Sequence, residues 1–307
     1  MNGKKIYRIT PALYDKIWGG YKLREYGKGS GERIGESWEL SFTDGCEATV
    51  DGLPLSLAIP ECDRGENCRG FEFFPVLTKF IDAREKLSVQ VHPDDSYALA
   101  NEGQYGKTEM WYIVEAEEGA GIYFGLKESS TPEEFKACVA EGRAEELLDF
   151  KTVKAGDVYF IPSGTIHAIG AGVLIFEIQQ NSTLTYRIYD YMRRDDSGNL
   201  RELHLDKALL VSDLKPYEAP SRDEFSADVI GKCDYFETRI CKLNFTKKRY
   251  FADEGSFVAV TCVRGTATLN DAAVSLGETL FVPAGYGEFI LSGDADLLLV
   301  SVPKKCI

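Results

Sequence analysis

The stretch GDVYFIPSGTIH, residues 156–167, decides the fold because it occurs a second time in altered form. Residues 277–288 read GETLFVPAGYGE, and both copies have glycine, five residues, proline, one residue, glycine, two residues and a polar end residue. The first glycine suits a turn into a strand, and the proline and second glycine suit a tight turn at the strand's end. The end residue, His167 or Glu288, then starts the next strand and is expected to point into a barrel. The repeat therefore predicts two similar structural units.

Strand patterns also precede both copies of the repeat. WYIVEAEEG (111–119) and FVAVTCVRG (257–265) are comparable strand-and-turn units. Short β-patterned runs broken by glycine, proline or aspartate recur along the rest of the chain. These patterns predict a protein that is mainly β.

Two helices are predicted outside the strands. Thr131 suits an N-cap, Pro132 suits the first helical position, and Glu134 completes a capping box. These signals predict a helix over residues 131–150, inserted within the first copy of the repeat unit. A second helix is predicted over residues 205–214, LDKALLVSDL.

The spacing of the first repeat resembles the second motif of the cupin jelly roll, in which the final histidine is commonly a metal ligand. The resemblance implies two cupin-like jelly-roll lobes with a few peripheral helices. We expect residues 1–215 to form a metal-binding catalytic domain. We expect residues 216–307 to form a degenerate cupin-like domain without metal, because Glu288 replaces the histidine and no histidine follows His204.

A second polar stretch, SVQVHPDD, begins at Ser88. Strand alternation places Ser88, Gln90 and His92 on one face. Glu109, in GKTEMWYIVE, begins another strand pattern. Together, Gln90, His92, Glu109 and His167 would supply an amide oxygen, two imidazoles and a carboxylate, a donor set suited to a catalytic divalent metal. Such a site leaves room for a water or a substrate oxygen.

The bulk composition excludes some classes of function. The 307 residues carry a formal net charge of −14, which argues against general nucleic-acid binding. Apolar runs such as AGVLIFEI (171–178) are too short to cross a bilayer, and the N-terminal residues lack the apolar core of a signal peptide. We therefore expect a cytoplasmic protein with no nucleic-acid or membrane partner. Its eight cysteines include no CxxC pair, and free thiols are expected.

At family level the chain resembles type I phosphomannose isomerase in its short bacterial form. The matching segments lie in order over residues 75–210: SVQVHPDD, GKTEMWYIVE, GDVYFIPSGTIHAIG, IFEIQQNSTLTYRIYDY and LHLDKAL. IWGG (17–20) and GESWELS (35–41) fit the amino-terminal part. The resemblance implies that one zinc ion per chain is bound by Gln90, His92, Glu109 and His167. It also implies interconversion of mannose 6-phosphate and fructose 6-phosphate by proton transfer through an enediol.

The same resemblance assigns further active-site residues. Arg187, in TYRIYDY, matches the family's active-site arginine, and its planar fork suits a phosphate or an enediolate. Lys107 and Lys79 match active-site lysines. Glu177 interrupts the apolar run VLIFEI, where a carboxylate must be paired or functional, and is assigned as the acid/base. Arg187, Glu177 and Lys107 are thus the expected catalytic residues, and Lys79, Ser88 and Arg187 the expected substrate and phosphate contacts.

Several alternatives remain open from the sequence. The lysines could snorkel from barrel strands, and Arg187 could form a structural ion pair with Asp190 or Glu177. Trp18 and Trp38 suit either the core or the lining of a site. The chain could instead be another metal-dependent cupin enzyme, an oxygenase or epimerase, or a non-catalytic sugar-phosphate-binding protein. The oligomeric state is not predicted.

Overall fold

A computed structural model describes residues 3–29, 33–195, 197–218 and 226–305 of the chain. Its strands carry most of the regular structure, which confirms the predicted mainly-β fold. The strands are β1 (Tyr7–Ile9), β2 (Ala12–Gly20), β3 (Ile34–Leu40), β4 (Thr49–Val50), β5 (Leu53–Pro54), β6 (Val76–Ala83), β7 (Val89–Val91), β8 (Glu109–Ala116), β9 (Gly121–Leu126), β10 (Leu148–Thr152), β11 (Val158–Ile161), β12 (His167–Ile169), β13 (Val173–Gln180), β14 (Tyr186–Tyr189), β15 (Val229–Lys232), β16 (Glu237–Ala252), β17 (Val258–Leu269), β18 (Ala272–Ser275), β19 (Thr279–Val282) and β20 (Gly287–Ser301).

The helices of the described ranges are short. They are α1 (Leu55–Ala58), α2 (Glu61–Arg64), α3 (Asp95–Glu102), α4 (Pro132–Ala140), α5 (Ala144–Leu147) and α6 (Leu205–Val211), with 3₁₀ turns at Lys22–Arg24 and Glu66–Gly70. None of the helices within these ranges is long and apolar enough to span a membrane.

The helix predicted over 131–150 begins as expected but ends early. Thr131 and Glu134 form the capping box. The helix stops at Ala140 because Gly142, with φ of 74°, takes the left-handed conformation that ends helices. After α5, residues 148–150 belong to β10 rather than to a helix. The second predicted helix, 205–214, likewise ends at Val211, where Ser212 returns to an extended backbone.

Two antiparallel sheets form the first unit. The order of one is β11-β8-β13-β6-β2-β3, and the order of the other is β10-β9-β12-β7-β14. Their facing sides share a buried apolar cluster that includes Trp111 and Ile175 from the first sheet and Phe124 and Ile169 from the second. This packing is the sandwich expected of a jelly roll, and it confirms the cupin-type fold class.

The second unit is a seven-stranded sheet with the path β1-β19-β17-β20-β16-β15, and β18 pairs with β17. Strand β1 comes from the N-terminus, with Tyr7 opposite Phe281. A second buried cluster, including Phe80 and Phe176 from the first unit and Phe257 and Phe281 from the second, joins the two units. The division into residues 1–215 and 216–307 stays a prediction. Strand β1 belongs to the first of these segments, but it pairs with β19 in the second sheet.

The end residues of the two repeats face different surroundings. His167 is fully buried at the start of β12, as expected, whereas Glu288 is exposed. The inward direction expected of Glu288 is wrong because Glu288 pairs across the sheet with exposed Phe251, so both side chains lie on the outward face. Strand alternation then points the next residue, Phe289, into the apolar interior of the second unit.

The cysteines in the described ranges are free thiols: Cys46, Cys62, Cys68, Cys138, Cys233, Cys241 and Cys262. Cys306 lies outside the described residues. Buried Cys241 and Cys262 belong to the apolar cluster of the second unit, as core-filling cysteines do.

Candidate active site

The site is built from two rows of side chains that face each other across the first unit. In one sheet, direct cross-strand pairing places Trp38 opposite Lys79, Lys79 opposite Glu177, and Glu177 opposite Trp111. Directly paired residues share one face of a sheet, so these four side chains form a continuous row. The row carries one carboxylate and one ammonium between two indole rings.

The second row lies on the opposite sheet. Its strand pairing places His167 opposite Gln90, and Gln90 opposite Arg187. The Trp111 ring contacts the His167 ring edge-on, with 5.4 Å between the ring centroids, which joins the two rows. The register therefore brings together residues that are far apart in the chain.

Three buried side chains form a candidate metal centre between the rows. His92, Glu109 and His167 each offer one ligand atom, and these atoms lie within 4.8 Å of one another. His92 follows β7 directly, Glu109 begins β8, and His167 begins β12. All three side chains are almost completely buried, at 1%, 0% and 0% exposure.

Both imidazoles are oriented as metal-bound imidazoles usually are. The Nδ1 of His92 lies 2.8 Å from the carbonyl of Leu184, and the Nδ1 of His167 lies 2.9 Å from the carbonyl of Thr165. A proton on each Nδ1 leaves both Nε2 lone pairs facing the centre. Burial lowers the pKa of His92, and it lowers the pKa of His167 to about 4. Both rings are therefore neutral, the form that binds metal.

Glu109 completes the centre from the third side. Its Oε1 lies 3.3 Å from His167 Nε2, and its Oε2 lies 3.6 Å from His92 Nε2. Burial, followed by repulsion from Glu177, raises the pKa of Glu109 to about 7. The amide nitrogen of Gln90, Nε2, lies 3.3 Å from His167 Nε2, so the Gln90 side-chain amide borders the centre. Glu109 Oε1 is buried and has no hydrogen-bond partner, and a buried carboxylate whose two oxygens lie beside two neutral imidazoles fits a divalent cation.

A second buried carboxylate, Glu177, lies beside this centre. Its Oε2 accepts a hydrogen bond of 2.8 Å from Trp111 Nε1, while its Oε1 lies 3.3 Å from Lys79 Nζ and 3.7 Å from Lys107 Nζ. Burial opposes ionisation, but the two ammonium groups outweigh it and lower the pKa of Glu177 to about 2. Glu177 is therefore held as a carboxylate with one oxygen fixed.

Lys107 connects the two carboxylates. Its ammonium forms an ion pair with Glu109 and lies 3.3 Å from His92 Nε2. The Lys107 side chain is only 4% exposed, and its acidic neighbours raise its pKa against the opposing effect of burial. The lysine is thus a charged group of the site rather than one that reaches solvent.

A cavity of about 380 Å³ opens onto Glu177 and Lys107, whereas the candidate metal ligands His92, Glu109 and His167 are not part of its lining. This volume lies within the range of small-molecule sites, roughly 300–1,000 Å³. Its lining includes both tryptophans that the sequence left open, six of the nine predicted site residues, and Arg201, which was not predicted: Trp18, Trp38, Lys79, Ser88, Gln90, Lys107, Glu177, Arg187 and Arg201.

Arg187 lies at one side of this cavity and has a hydrogen-bond donor without a partner. Its NH1 donates to the Glu202 carbonyl at 2.9 Å, whereas its Nε is buried without a hydrogen-bond partner. Burial and nearby Arg201 lower the pKa of Arg187. His204, just ahead of α6, helps to fix the backbone of Arg187, because its Nδ1 accepts a 3.2 Å hydrogen bond from the Arg187 amide.

The suggested Arg187–Asp190 ion pair is replaced by other partners of Asp190. Buried Asp190 forms ion pairs with Arg193 and Arg201. Arg201 Nε donates to Asp190 Oδ2 at 2.6 Å, which holds its guanidinium group at the wall of the cavity.

Sequence reasoning missed Arg201 and Trp111. Arg201 lies in an irregular segment without a pattern that could assign it. The sequence pattern places Trp111 in a strand and does not show that it is the direct cross-strand partner of Glu177. Neither role can be found without the register of the sheets.

Comparisons with known proteins agree with the fold. The family description "Mannose-6-phosphate isomerase, cupin domain" matches residues 228–302. The mannose-6-phosphate isomerase of Streptococcus mutans is 36% identical over 304 residues, covering 94% of this chain and 96% of that protein. Mannose-6-phosphate isomerase ManA of Bacillus subtilis is 34% identical over 310 residues, covering 95% and 97%.

Solved structures show the same similarity. The crystal structure of the mannose 6-phosphate isomerase from Bacillus subtilis matches with a TM-score of 0.84 at 33% identity, covering 97% of this chain and 99% of that one. A putative mannosephosphate isomerase from Archaeoglobus fulgidus matches with a TM-score of 0.80 at 22% identity, covering 98% of both chains, which supports the fold alone.

The fold and the centre define a class: cupin-type barrel proteins with a buried centre of two histidines and a glutamate. With relatives more than 30% identical over almost its whole length, the chain belongs to the mannose-6-phosphate isomerase family. It is therefore an enzyme of the isomerase class.

Proposed function

We propose that this enzyme interconverts mannose 6-phosphate and fructose 6-phosphate with one zinc ion per chain. The observation that carries the proposal is the convergence of His92, Glu109 and His167 beside a second buried carboxylate, Glu177. The family relatives bear the matching name. A cytoplasmic location and a hexose phosphate as the substrate partner belong to the same proposal.

The metal would be held by His92, Glu109 and His167, with the Gln90 amide as a fourth donor. Neutral imidazoles with a carboxylate and an amide suit zinc as a catalytic ion with open coordination positions. When bound, the ion supplies a Lewis acid that stabilises negative charge on the oxygens of the enediol.

Proton transfer between C1 and C2 is assigned to Glu177. Trp111 fixes Oε2, whereas Oε1 makes only the longer contacts with the Lys79 and Lys107 ammonium groups, so Oε1 is the oxygen available to accept and return the proton. Lys107 keeps this carboxylate ionised and lies close enough to the centre to stabilise an enediolate oxygen. The Lys79 ammonium lies 4.8 Å from the centre of the Trp38 ring and forms a second ion pair with Glu177.

The phosphate is assigned to the arginine side of the cavity. Arg187 offers a buried, unpartnered Nε, and Asp190 holds Arg201 beside it. Two guanidinium groups suit the geometry and charge of a phosphate dianion. Ser88 lines the same cavity. Lys79 is a weaker candidate for the phosphate than the sequence suggests, because its ammonium already pairs with Glu177.

The test combines metal analysis with an assay on defined sugars. We expect about one zinc per chain, loss of ketose formation from mannose 6-phosphate on chelation, and recovery on adding zinc. Deuterium from solvent should enter the substrate at C2. Oxygen uptake instead of ketose formation would favour an oxygenase, and sugar-phosphate binding without exchange would favour a non-catalytic binding protein. Either result would overturn the proposal.

A further inference from the structure

We infer that Tyr235, which lies in the second half of the chain, is a positioning residue for the active-site segment 105–109. The inference rests on the proposed function, because it concerns the turnover of the same site. Tyr235 lies in the turn between β15 and β16, where the Cys233 amide donates to the Phe236 carbonyl at 2.9 Å.

A chain of hydrogen bonds leads from Tyr235 to the active-site segment. The Tyr235 hydroxyl donates to Asp95 Oδ2. Asp95 Oδ1 accepts from the Gly106 amide at 2.8 Å and from Gln180 Nε2 at 2.9 Å. Gln180 Oε1 in turn accepts from the Thr108 amide at 2.6 Å. The phenol, the carboxylate and the carboxamide therefore act as one connected network.

This network holds the backbone on both sides of Lys107, at Gly106 and at Thr108. The Lys107 amide itself donates to the Pro93 carbonyl at 3.1 Å. The Thr108 carbonyl also accepts from the Gln180 amide at 3.0 Å. Three consecutive amides are thus fixed immediately before Glu109, so the network sets where the Lys107 ammonium and the Glu109 carboxylate lie.

Segment 105–109 packs closely against residues 93–95, so its position depends on that contact. A Cβ placed on Gly106 would lie 2.5 Å from the Asp94 carbonyl carbon, so the segment sits directly against residues 93–95. Those residues follow His92, a proposed metal ligand. A loosened contact here would disturb the position of groups from both strands, and small misplacements of reacting groups cost large factors in rate.

The Tyr235 ring has a separate packing role. Its centroid lies 5.4 Å from that of Tyr105 and 5.0 Å from that of Phe71. Tyr235→Phe keeps these ring contacts and removes only the hydroxyl that reaches Asp95. The substitution therefore isolates the hydrogen bond from the aromatic packing.

The chain offers a matched control in Tyr7. Its hydroxyl donates to Asp63 Oδ2 at 2.6 Å, a phenol–carboxylate bond of the same kind. Asp63 is buried and lies in α2, which carries none of the proposed site residues. Tyr7→Phe therefore reports the general cost of losing such a bond without acting on segment 105–109.

The experiment compares the two variants with the wild-type enzyme by kinetics, zinc analysis and amide hydrogen exchange of residues 103–109. For Tyr235→Phe we expect kcat to fall about threefold to tenfold, with KM for mannose 6-phosphate changed by less than about twofold. Zinc content should be kept and exchange of the segment should become faster. Tyr7→Phe should leave kcat and this exchange unchanged.

An unchanged kcat or unchanged exchange in Tyr235→Phe would overturn the inference, as would an equal fall of kcat in Tyr7→Phe. Loss of zinc together with activity would also overturn it, because it would indicate general damage to the centre. Absence of isomerase activity in the wild-type enzyme would refute the proposed function instead, and the exchange comparison would still decide whether Tyr235 positions the segment.

Discussion

The two units of this protein use the same hairpin motif for opposite purposes. In the first unit the hairpin ends in buried His167, and the interior beside it contains two carboxylates and two ammonium groups. In the second unit the corresponding interior is an apolar cluster into which Phe289 points. The comparison shows that the fold supplies the scaffold, whereas a few side chains and the phase of one strand determine whether it holds a site.

The two interiors also differ in what they do for stability. Burying charged groups costs desolvation free energy that their ion pairs only partly offset, so the first interior contributes less to folding stability than an apolar interior of the same size would. The second interior buries apolar side chains, which stabilises the folded state. Substitutions of the charged interior of the first unit should therefore act on metal content and turnover, and substitutions of the apolar interior of the second unit should act on the free energy of unfolding.

The largest effect is expected from His167→Ala. Removing one of the buried imidazoles leaves an incomplete donor set, so zinc content should fall well below one per chain and activity should fall by at least about a hundredfold. Metal analysis with the isomerase assay checks both. Full zinc content in the folded variant would contradict the assignment of His167.

The next effect is expected from Glu177→Gln, which keeps the size of the side chain and removes its charge. Loss of a general acid/base should lower kcat by about 10²–10⁴-fold. Zinc content should remain that of the wild-type enzyme, because Glu177 is not a proposed ligand. Near-normal kcat in the zinc-loaded variant would rule out Glu177 as the group that moves the proton.

Phe289→Ala tests the second interior. Deleting a fully buried phenyl ring should lower the free energy of unfolding by about 3–5 kcal/mol, as measured by denaturant titration. Turnover per zinc-loaded folded molecule should be unchanged. Phe251→Ala is the matched control, since Phe251 is 69% exposed and its loss should change stability by less than about 0.5 kcal/mol. Equal destabilisation by both variants would contradict the proposed packing role.

The smallest effect is expected from Glu288→His, which restores the histidine of the motif in the second copy. Because position 288 faces outward, the introduced imidazole would remain away from the interior, and zinc content should stay at about one per chain. Binding of a second tightly held zinc ion would show that the two hairpins are closer in geometry than the structure indicates.

Much of the fold could be predicted from local patterns. The glycine and proline positions of the repeat predict a hairpin because they have specific turn requirements, and the resemblance of its spacing to a cupin motif implies the cupin fold. The capping box at Thr131 predicted where α4 begins, but the sequence reading ran past Gly142, a helix-ending signal. The direction of Glu288 depends on how β20 pairs with β16, which spacing alone does not reveal.

The site was predictable only in part, because its geometry also depends on how distant strands pair. Alternation places Gln90 and His92 on a face, but the neighbours of each side chain depend on the register of strands distant in the chain. Trp111, Arg201 and Tyr235 therefore emerge only from the structure. Family resemblance supplied the suggested roles of Glu177 and Lys107, and those roles still depend on the kinetic tests.

The most direct test of the central claim is zinc-edge X-ray absorption on the purified, zinc-loaded enzyme. The account predicts about one zinc per chain with two imidazole nitrogens and the remaining donors oxygen, matching His92, His167, Glu109 and Gln90. Thiolate sulfur in the coordination shell, or a single imidazole, would contradict a zinc centre formed by these residues.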